Sequence, residues 1–350
     1  MKASAKKVTV LLFSILMSTN ALAKDNFKVC WSIYVGWMPW AYGAQEGIVK
    51  KWADKYDIDI DVVQINDYVE SINQYTAGQF DACTMTNMDA LTIPAAGGVD
   101  STALIVGDFS NGNDAVILKG TDNLADIKGQ NVNLVELSVS HYLLARALDT
   151  VGLSEADVNV FNTSDADMVS IYGTPDVTSV VTWNPLVSEI LSMPKSYSVF
   201  DSSKIPGEII DLLVVNTDTL KANPKLGKAL VGAWYEIMGL MSGTNQTAID
   251  ARSAMAESSE TNLEGYDAQL SSTKMFYTPQ SALDLTNSKA LFSTMKNVAE
   301  FSFEHGILGD GAPDAGAIGI EMPTGVYGDS SNIKLRFNPT YMQMAADGVL

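Results

Sequence analysis

The sequence predicts an α/β protein of two lobes that close like a clamshell, and three observations carry this prediction. Short strands alternate with helices over residues 27–106, which is typical of a parallel-type sheet with helices on both faces. The same alternation starts again after residue 113, and two strands, at 114–118 and 209–215, are placed to cross between the units. A chain of 350 residues is long enough for two such lobes.

The first unit is predicted to contain four strands and three helices. Its strands are rich in β-branched and aromatic residues, and its helices carry apolar residues at helical spacing. Gly78 suits the position directly after a helix. The predicted strands are 27–34, 58–65, 80–86 and 101–106, and the predicted helices are 41–56, 67–77 and 88–96.

The second unit continues this alternation before the pattern becomes helical. Its predicted strands are 114–118, 131–135, 158–161, 177–183, 198–200 and 209–215, and its helices are 138–151, 164–172 and 185–193. The helices predicted after it are 223–241, 244–258, 262–271 and 279–306. The Gly-rich tail from residue 310 is expected to be mostly loop, with a last turn at 341–346. Lobe 1 would then comprise 24–113 and 216–350, and lobe 2 would be the inserted segment 114–215.

The first 23 residues have the layout of a secretory signal peptide. Three lysines precede an apolar run at 8–17, and Ala21-Leu22-Ala23 provides a small-residue cleavage site. This run is far shorter than the ~20 residues that span a bilayer. We therefore expect export to the periplasm and a soluble chain after cleavage.

The charge balance and two rare residue types exclude several function classes. A formal net charge of −19 provides no footprint for nucleic acid and disfavours an anionic membrane surface. The chain contains only two histidines, so a His-rich zinc site is not expected, and neither is any cofactor. Cys30 and Cys83 fall in predicted buried strands, where buried thiols are favoured over a disulfide, although export permits the bridge.

Candidate ligand contacts follow the predicted strands, because ligands of open α/β sheets bind at the carboxyl ends of the strands. These positions combine aromatic rings and carboxylates, and no lysine or arginine joins them. Aromatic faces attract cations, and carboxylates accept the forked N–H donors of an amidine-like group. The candidates are Tyr34, Trp37, Trp40, Asn87, Asp89, Asp108, Glu136, Ser138, Ser140, His141, Trp183 and Asn184.

Within this set, Trp37, Asp89, Glu136 and Trp183 are predicted to form a cage for the ligand, with Tyr34 and Asn184 orienting it. Structural roles remain open for several of the candidates. Asp89 can simply cap a helix, and Ser138 and Ser140 are natural helix caps with or without a ligand.

Structural explanations extend to the other candidates. Asp108 can be an ordinary turn residue, and His141 can support the site without contacting the ligand. Trp37 and Trp40 flank Pro39 in a turn, where packing explains them as well as binding does.

Catalysis is the weaker alternative. The carboxylate pairs Asp165/Asp167 and Asp89/Glu136 allow a hydrolase to be considered. The chain contains no G-x-S-x-G elbow, no P-loop and no H-E-x-x-H motif. We therefore expect a binding protein and not an enzyme.

Several stretches of the chain resemble the extracytoplasmic solute-binding proteins of ABC importers, in the NMT1/THI5-like group that includes nitrate, sulfonate and pyrimidine binders. The matching elements are the turn at 36–40, Glu46-Gly47-Ile48, the run YTAGQFDA at 75–82 and LADIKG at 124–129. Longer runs resemble the branch described as urea-binding, which is encoded beside urea carboxylase and linked to guanidine. They are WSIYVGWMPWAY, QINDYVESINQYTAG, TMTNMDALTIPAAGGVDSTALIVGDFSNGND, VNLVELSVSHYLLARALD and TSDADMVSIYGTPDVTSVVTWNPLVSEI.

This resemblance implies a type II periplasmic-binding-protein fold and a monomeric receptor that presents its ligand to a membrane permease with its ATPase. It leaves the ligand open. Guanidinium needs carboxylates and aromatic faces, which the sequence offers in excess, whereas neutral urea needs both donors and acceptors. We expect guanidine or a related small cationic amine, with urea next; a pyrimidine precursor, nitrate or a sulfonate such as taurine are the alternatives.

Overall fold

The computed structural model describes residues 24–309 and 311–350, and the predicted signal peptide at 1–23 lies outside them. Fourteen strands are present in the described residues. They are β1 (Asp25–Trp31), β2 (Ile58–Gln64), β3 (Ala82–Thr86), β4 (Ser101–Ser110), β5 (Asp114–Lys119), β6 (Asn131–Leu134), β7 (Asn159–Asn162), β8 (Ser179–Trp183), β9 (Ser196–Asp201), β10 (Ile210–Asn216), β11 (Thr273–Met275), β12 (Gly319–Met322), β13 (Gly325–Tyr327) and β14 (Ile333–Phe337).

Fourteen α-helices accompany these strands in the same part of the chain, and none of them is long and apolar enough to cross a membrane. They are α1 (Met38–Gln45), α2 (Ile48–Lys55), α3 (Tyr68–Thr76), α4 (Asn87–Ala90), α5 (Val139–Thr150), α6 (Asp165–Tyr172), α7 (Leu186–Ser192), α8 (Thr217–Ala222), α9 (Pro224–Met241), α10 (Gln246–Ser258), α11 (Leu263–Ser271), α12 (Pro279–Thr286), α13 (Lys289–Glu304) and α14 (Thr340–Ala346).

The strands form two separate sheets, one in each lobe. The first sheet has the order β13-β12-β14-β4-β10-β3-β1-β2, with β11 paired to β4, and the second has the order β7-β6-β8-β5-β9. Both sheets are mixed, because β10 runs antiparallel to β3 and β4, and β5 runs antiparallel to β8 and β9. The predicted two-lobed α/β architecture is therefore present, although the sheets are not purely parallel.

The chain crosses between the lobes in two short segments rather than along the two predicted strands. The first crossing lies at 111–113, between β4 in the first sheet and β5 in the second. The return lies at 202–209, because β10 already belongs to the first sheet. The second lobe therefore ends before residue 210 and not at residue 215. The two crossings are joined at Ser202, whose Oγ atom accepts from the Gly112 backbone N–H at 2.8 Å and lies 2.6 Å from the Oγ atom of Ser110 at the end of β4.

Several predicted elements are shorter or more divided than expected. The helix predicted at 41–56 is broken into α1 and α2 at Gly47, whose φ of +71° favours glycine and ends a helix. The helix predicted at 279–306 is divided into α12 and α13, since the Ser288 side chain caps a new helix by accepting from the N–H of Leu291. The tail was expected to be mostly loop with a last turn at 341–346. Helix α14 confirms the last turn, whereas β12, β13 and β14, which extend the first sheet, were not predicted.

Cys30 and Cys83 occupy paired positions on the parallel strands β1 and β3. Their Cα atoms lie 4.5 Å apart, and the two sulfurs are bonded as a disulfide. The preference for buried thiols was therefore wrong. Both cysteines are fully buried, as expected, and the pairing of the strands brings them together.

Candidate functional site

A small cavity lies between the two lobes, where the carboxyl ends of strands from the first lobe meet the second lobe. Its empty volume is at most about 260 Å³, which is below the ~300–1,000 Å³ of pockets for drug-sized ligands. The cavity therefore suits a molecule of only a few heavy atoms. It is lined by Tyr34, Trp37, Tyr68, Thr86, Ile209 and Asp211 from the first lobe and its return crossing, and by Asp114, Val139 and Trp183 from the second lobe.

Four aromatic rings form one continuous series across the cavity and join the two lobes. The Tyr34 and Trp37 ring centroids are 4.9 Å apart, and those of Trp37 and Tyr68 are 5.7 Å apart. The series ends in the second lobe, where Trp183 packs with Tyr68 in an edge-to-face arrangement at 5.4 Å. Such aromatic faces present negative potential to whatever lies between them.

Two buried carboxylates fix the tyrosine rings of this series. The Tyr34 hydroxyl donates to Asp108 Oδ1 at 2.8 Å, and the Tyr68 hydroxyl donates to Asp89 Oδ2 at 2.6 Å. The Thr86 hydroxyl donates to the same Asp89 oxygen at 2.8 Å. Because each phenol donates to a buried carboxyl oxygen, both tyrosine rings are held in position before any ligand arrives.

Asp108 and Asp211 lie opposite each other in register on β4 and β10. Both carboxyl groups are buried, and the Oδ2 atom of each has no hydrogen-bond partner among the described residues. Burial raises the pKa of Asp108 to about 7. Burial, followed by the neighbouring charge of Asp108, raises the pKa of Asp211 well above its usual range.

Asp114 and Asp89 add two more buried carboxylates to the region. Burial raises the pKa of Asp114 and of Asp89 to about 6 in each case, while hydroxyl donors oppose the shift. Asp114 accepts its hydroxyl bond from Ser110, and Oδ1 of Asp89 has no partner within the described chain. Desolvation therefore disfavours the charged form of every carboxyl group in this region.

No buried cation compensates these four carboxylates in residues 24–309 and 311–350. The buried charged side chains of this part of the chain include no lysine or arginine. None of the four carboxyl pKa values is shifted by a lysine or arginine. In the same residues, no group of three histidine, cysteine or acidic side chains is arranged to hold a metal ion. Uncompensated buried carboxylates are costly unless a partner neutralises them, and here that partner must be protons or a bound cation.

The structure brings together some of the candidate residues from the sequence and separates others. Tyr34, Trp37 and Trp183 line the cavity, and Asp89 and Asp108 lie directly behind it, bonded to its tyrosines. Trp40 is buried in the core and stacks on Trp234, with the ring centroids 5.3 Å apart.

The side chains of two further candidates form hydrogen bonds that hold nearby segments of the chain. The Asn87 side chain holds the end of the return crossing, since it donates to the Glu208 carbonyl and accepts from the Ile210 N–H. The Asn184 side chain accepts from the Ser188 backbone N–H and hydroxyl and donates to Ser272, so it has a structural role.

The predicted role of Glu136 in the cage does not agree with the structure. Glu136 is exposed just after β6, and it is followed by Leu137, whose φ is +62°. His141 also lies away from the cavity lining, and its Nε2 atom is in contact with Glu155, which His305 contacts from the first lobe at 2.6 Å. Ser138 caps α5, and Ser140 is buried in the first turn of that helix.

Sequence reasoning missed Tyr68, Thr86, Asp114, Val139, Ile209 and Asp211. Asp211 carried a usable signal, since it is the one carboxylate in the largely apolar strand β10, and a buried carboxylate is costly without a partner. Asp114 opens a buried strand directly after a crossing, and Tyr68 follows the second strand. Val139 and Ile209 carry no chemical signal, because an apolar side chain beside a site resembles any core residue.

Comparison with known proteins identifies the family to which the chain belongs. The model of the family described as NMT1/THI5 like matches residues 50–236. A curated relative from Brucella abortus, described only as a binding protein, is 22% identical over 219 residues, which is 60% of this chain and 66% of the relative. The match thus spans slightly less than two thirds of that relative.

Solved structures share the fold at low sequence identity. The alkanesulfonate-binding protein SsuA from Xanthomonas axonopodis pv. citri matches with a TM-score of 0.67 and 14% identity, over 81% of this chain and 94% of that one. The periplasmic aliphatic sulphonate binding protein SsuA from Escherichia coli matches with a TM-score of 0.65 and 16% identity, over 82% and 94%. All three matches carry the names of binding proteins. The chain belongs to the NMT1/THI5-like family and has the two-lobed fold of type II periplasmic binding proteins.

Proposed function

We propose that this chain is the periplasmic substrate-binding component of an ABC importer and that it captures a small planar nitrogen cation of the guanidinium type. The importer role is supported by the family and by relatives of the same fold that are named as periplasmic binding proteins. The partners would be a membrane permease and its ATPase. The ligand rests on the residues of the cavity.

One observation carries the choice of ligand: four buried carboxylates surround an aromatic cavity, and no buried lysine or arginine of the described chain balances them. A guanidinium ion supplies the missing positive charge. Its flat face can stack against the tryptophan and tyrosine rings, while its N–H groups can donate to Asp114 and Asp211 in the wall. The small volume of the cavity agrees with a ligand of this size.

Urea is the second candidate, and the pKa values support it. A cavity carboxyl group whose pKa is raised well above its usual range, as that of Asp211 is, can keep its proton and donate to a carbonyl oxygen. Urea has the same planar shape as guanidinium and would need one such donor beside the acceptors. The two candidates therefore differ in charge, since guanidinium is positive and urea is neutral.

Calorimetric titration of the protein without residues 1–23 would test the proposal, using guanidinium, urea, nitrate and taurine at equal ionic strength. We expect guanidinium to bind most tightly. Tetramethylammonium is a matched control, because it carries the same charge but has no N–H donors and a bulkier shape. Tight binding of nitrate or taurine, with none of guanidinium or urea, would contradict the proposed ligand class.

A further inference from the structure

The first turn of α5 in the second lobe reaches the cavity at Val139. Ser138 caps the helix by accepting from the N–H of Ser140, and Val139, the first residue of the helix, lines the cavity itself. The Ser140 hydroxyl is fully buried and has no partner in the described part of the chain. The N-terminus of a 12-residue helix attracts negative charge through its free N–H groups and its dipole.

Asp89, from the opposite lobe, supplies that negative charge. The carboxylate is fully buried, and the backbone N–H of Val139 is close enough to lower its pKa against the larger effect of burial. Its Oδ2 atom accepts from Tyr68 and Thr86, and its Oδ1 atom has no partner among the described residues. The hydroxyl donors of the first lobe and the first turn of α5 in the second lobe therefore face one carboxylate that belongs to the protein.

We infer that Asp89 is a specificity-determining residue that acts as a resident anion, occupying the N-terminus of α5 and thereby excluding anionic ligands from the cavity. A free anion would have to approach this carboxylate in a space with little water, where like charges repel strongly. The inference rests on the proposed function, because it explains how the cavity selects a cation.

Removal of the carboxylate should reverse this selection. Asp89→Ala leaves the hydroxyls of Tyr68 and Thr86 and the N–H of Val139 around an emptied volume that suits a small anion. Formate restores the deleted carboxylate most closely, and nitrate is a planar anion of similar size. Asp89→Asn keeps the volume filled, so we expect no such gain for that variant.

The experiment is a calorimetric titration of sodium formate and sodium nitrate into the wild type, Asp89→Ala, Asp89→Asn and Asp114→Ala. Asp114→Ala is the matched control, since it removes a buried carboxylate from the same cavity that has a hydroxyl partner and caps no helix. We expect Asp89→Ala to bind formate or nitrate at least tenfold more tightly than the wild type and Asp114→Ala to gain nothing. If Asp89→Ala cannot be purified, Asp89→Ser takes its place with the same expectation.

The inference is overturned if Asp89→Ala binds neither anion more tightly than the wild type, or if Asp114→Ala gains as much. Titration of guanidinium into the wild type keeps the proposed function separate. Guanidinium binding without an anion gain in Asp89→Ala would refute the role of Asp89 and leave the proposed function intact. An anion gain without guanidinium binding by the wild type would support the resident anion and refute the proposed ligand.

Discussion

Asp108 and Asp211 are directly paired on the neighbouring antiparallel strands β4 and β10, and both of their carboxyl groups are buried. Like charges in such paired positions destabilise a sheet. The pair therefore stays in place only if it holds a proton or faces a positive ligand. The stability of the empty protein therefore depends on protonation of this pair, whereas a bound cation would balance its charge.

Asp211→Asn should stabilise the empty protein and weaken its binding of guanidinium. The amide removes a buried acidic group that has an unpartnered oxygen, so we expect the free energy of unfolding at pH 8 to rise by about 1–3 kcal/mol. Affinity for guanidinium should fall at least tenfold. Chemical denaturation and calorimetry measure the two effects.

Asp122→Asn is the matched control for this substitution, because Asp122 is exposed and should change neither quantity. A loss of stability in Asp211→Asn with unchanged affinity would contradict the role assigned to Asp211.

The stability of the ligand-free protein should fall as the pH rises from about 4 to about 8. Asp89, Asp108 and Asp114 have pKa values of about 6, 7 and 6 in the folded state, above the usual value of 3.8. The folded state therefore binds more protons than the unfolded state in this range, and its stability is lost as the pH rises through the folded pKa values. Thermal unfolding across this range measures the effect.

A cation that binds the ionised carboxylates should oppose this loss. The melting temperature with saturating guanidinium should therefore depend less on pH than that of the empty protein. Binding at pH 6.5 should release protons, which titration in buffers of different ionisation enthalpy detects. Proton uptake on binding would contradict the assignment of a cationic ligand.

Trp183→Leu should weaken guanidinium binding, because it removes the aromatic face that the second lobe contributes to the cavity. A cation–π contact contributes about 0.5–2 kcal/mol, so we expect a loss of about 2- to 30-fold. Trp183→Phe should lose less, since it keeps a ring but lacks the indole N–H that donates to the Ile33 carbonyl at 3.4 Å.

Trp52→Leu is the matched control for Trp183→Leu, because Trp52 packs on Tyr56 outside the cavity lining. Equal affinity of Trp183→Leu and the wild type in calorimetry would contradict the cage.

The double substitution of Cys30 and Cys83 by serine should reduce stability with little effect on the ligand. The disulfide joins residues 53 positions apart and limits the freedom of the unfolded chain. Its loss should cost about 2–4 kcal/mol of unfolding free energy. Denaturation curves of the two proteins, with thiol counting on the unfolded wild type, test this. Two free thiols in the wild type would contradict the bond.

The pattern of the chain predicted much of the first lobe, because its elements are long and strongly periodic. The strand predicted at 58–65 differs by one residue from β2, and the helix predicted at 67–77 agrees with α3 within one residue at each end. The tail was not predictable in this way. Its three short strands pair with each other and with β4, which is more than 200 residues away in sequence.

The residues of the candidate site also differ in whether the sequence alone could predict them. Tyr34, Trp37 and Trp183 could be named from the sequence, because they follow strands and carry distinctive chemistry. Glu136 also follows a predicted strand and carries a carboxylate, but in the structure it is exposed, next to Leu137 with its positive φ. Asp211 was hidden within a strand, and its importance depends on its partner on β4.

By itself, the sequence determined the two-lobed α/β architecture, the absence of basic residues among the aromatic and acidic candidates, and membership of the NMT1/THI5-like family. These properties follow from local periodicity and composition, which each segment carries on its own. Only the tertiary structure decided which carboxylates face one another, which cysteines join, and where the chain crosses between the lobes. Those outcomes depend on strand order and register, which bring together residues that are distant along the chain.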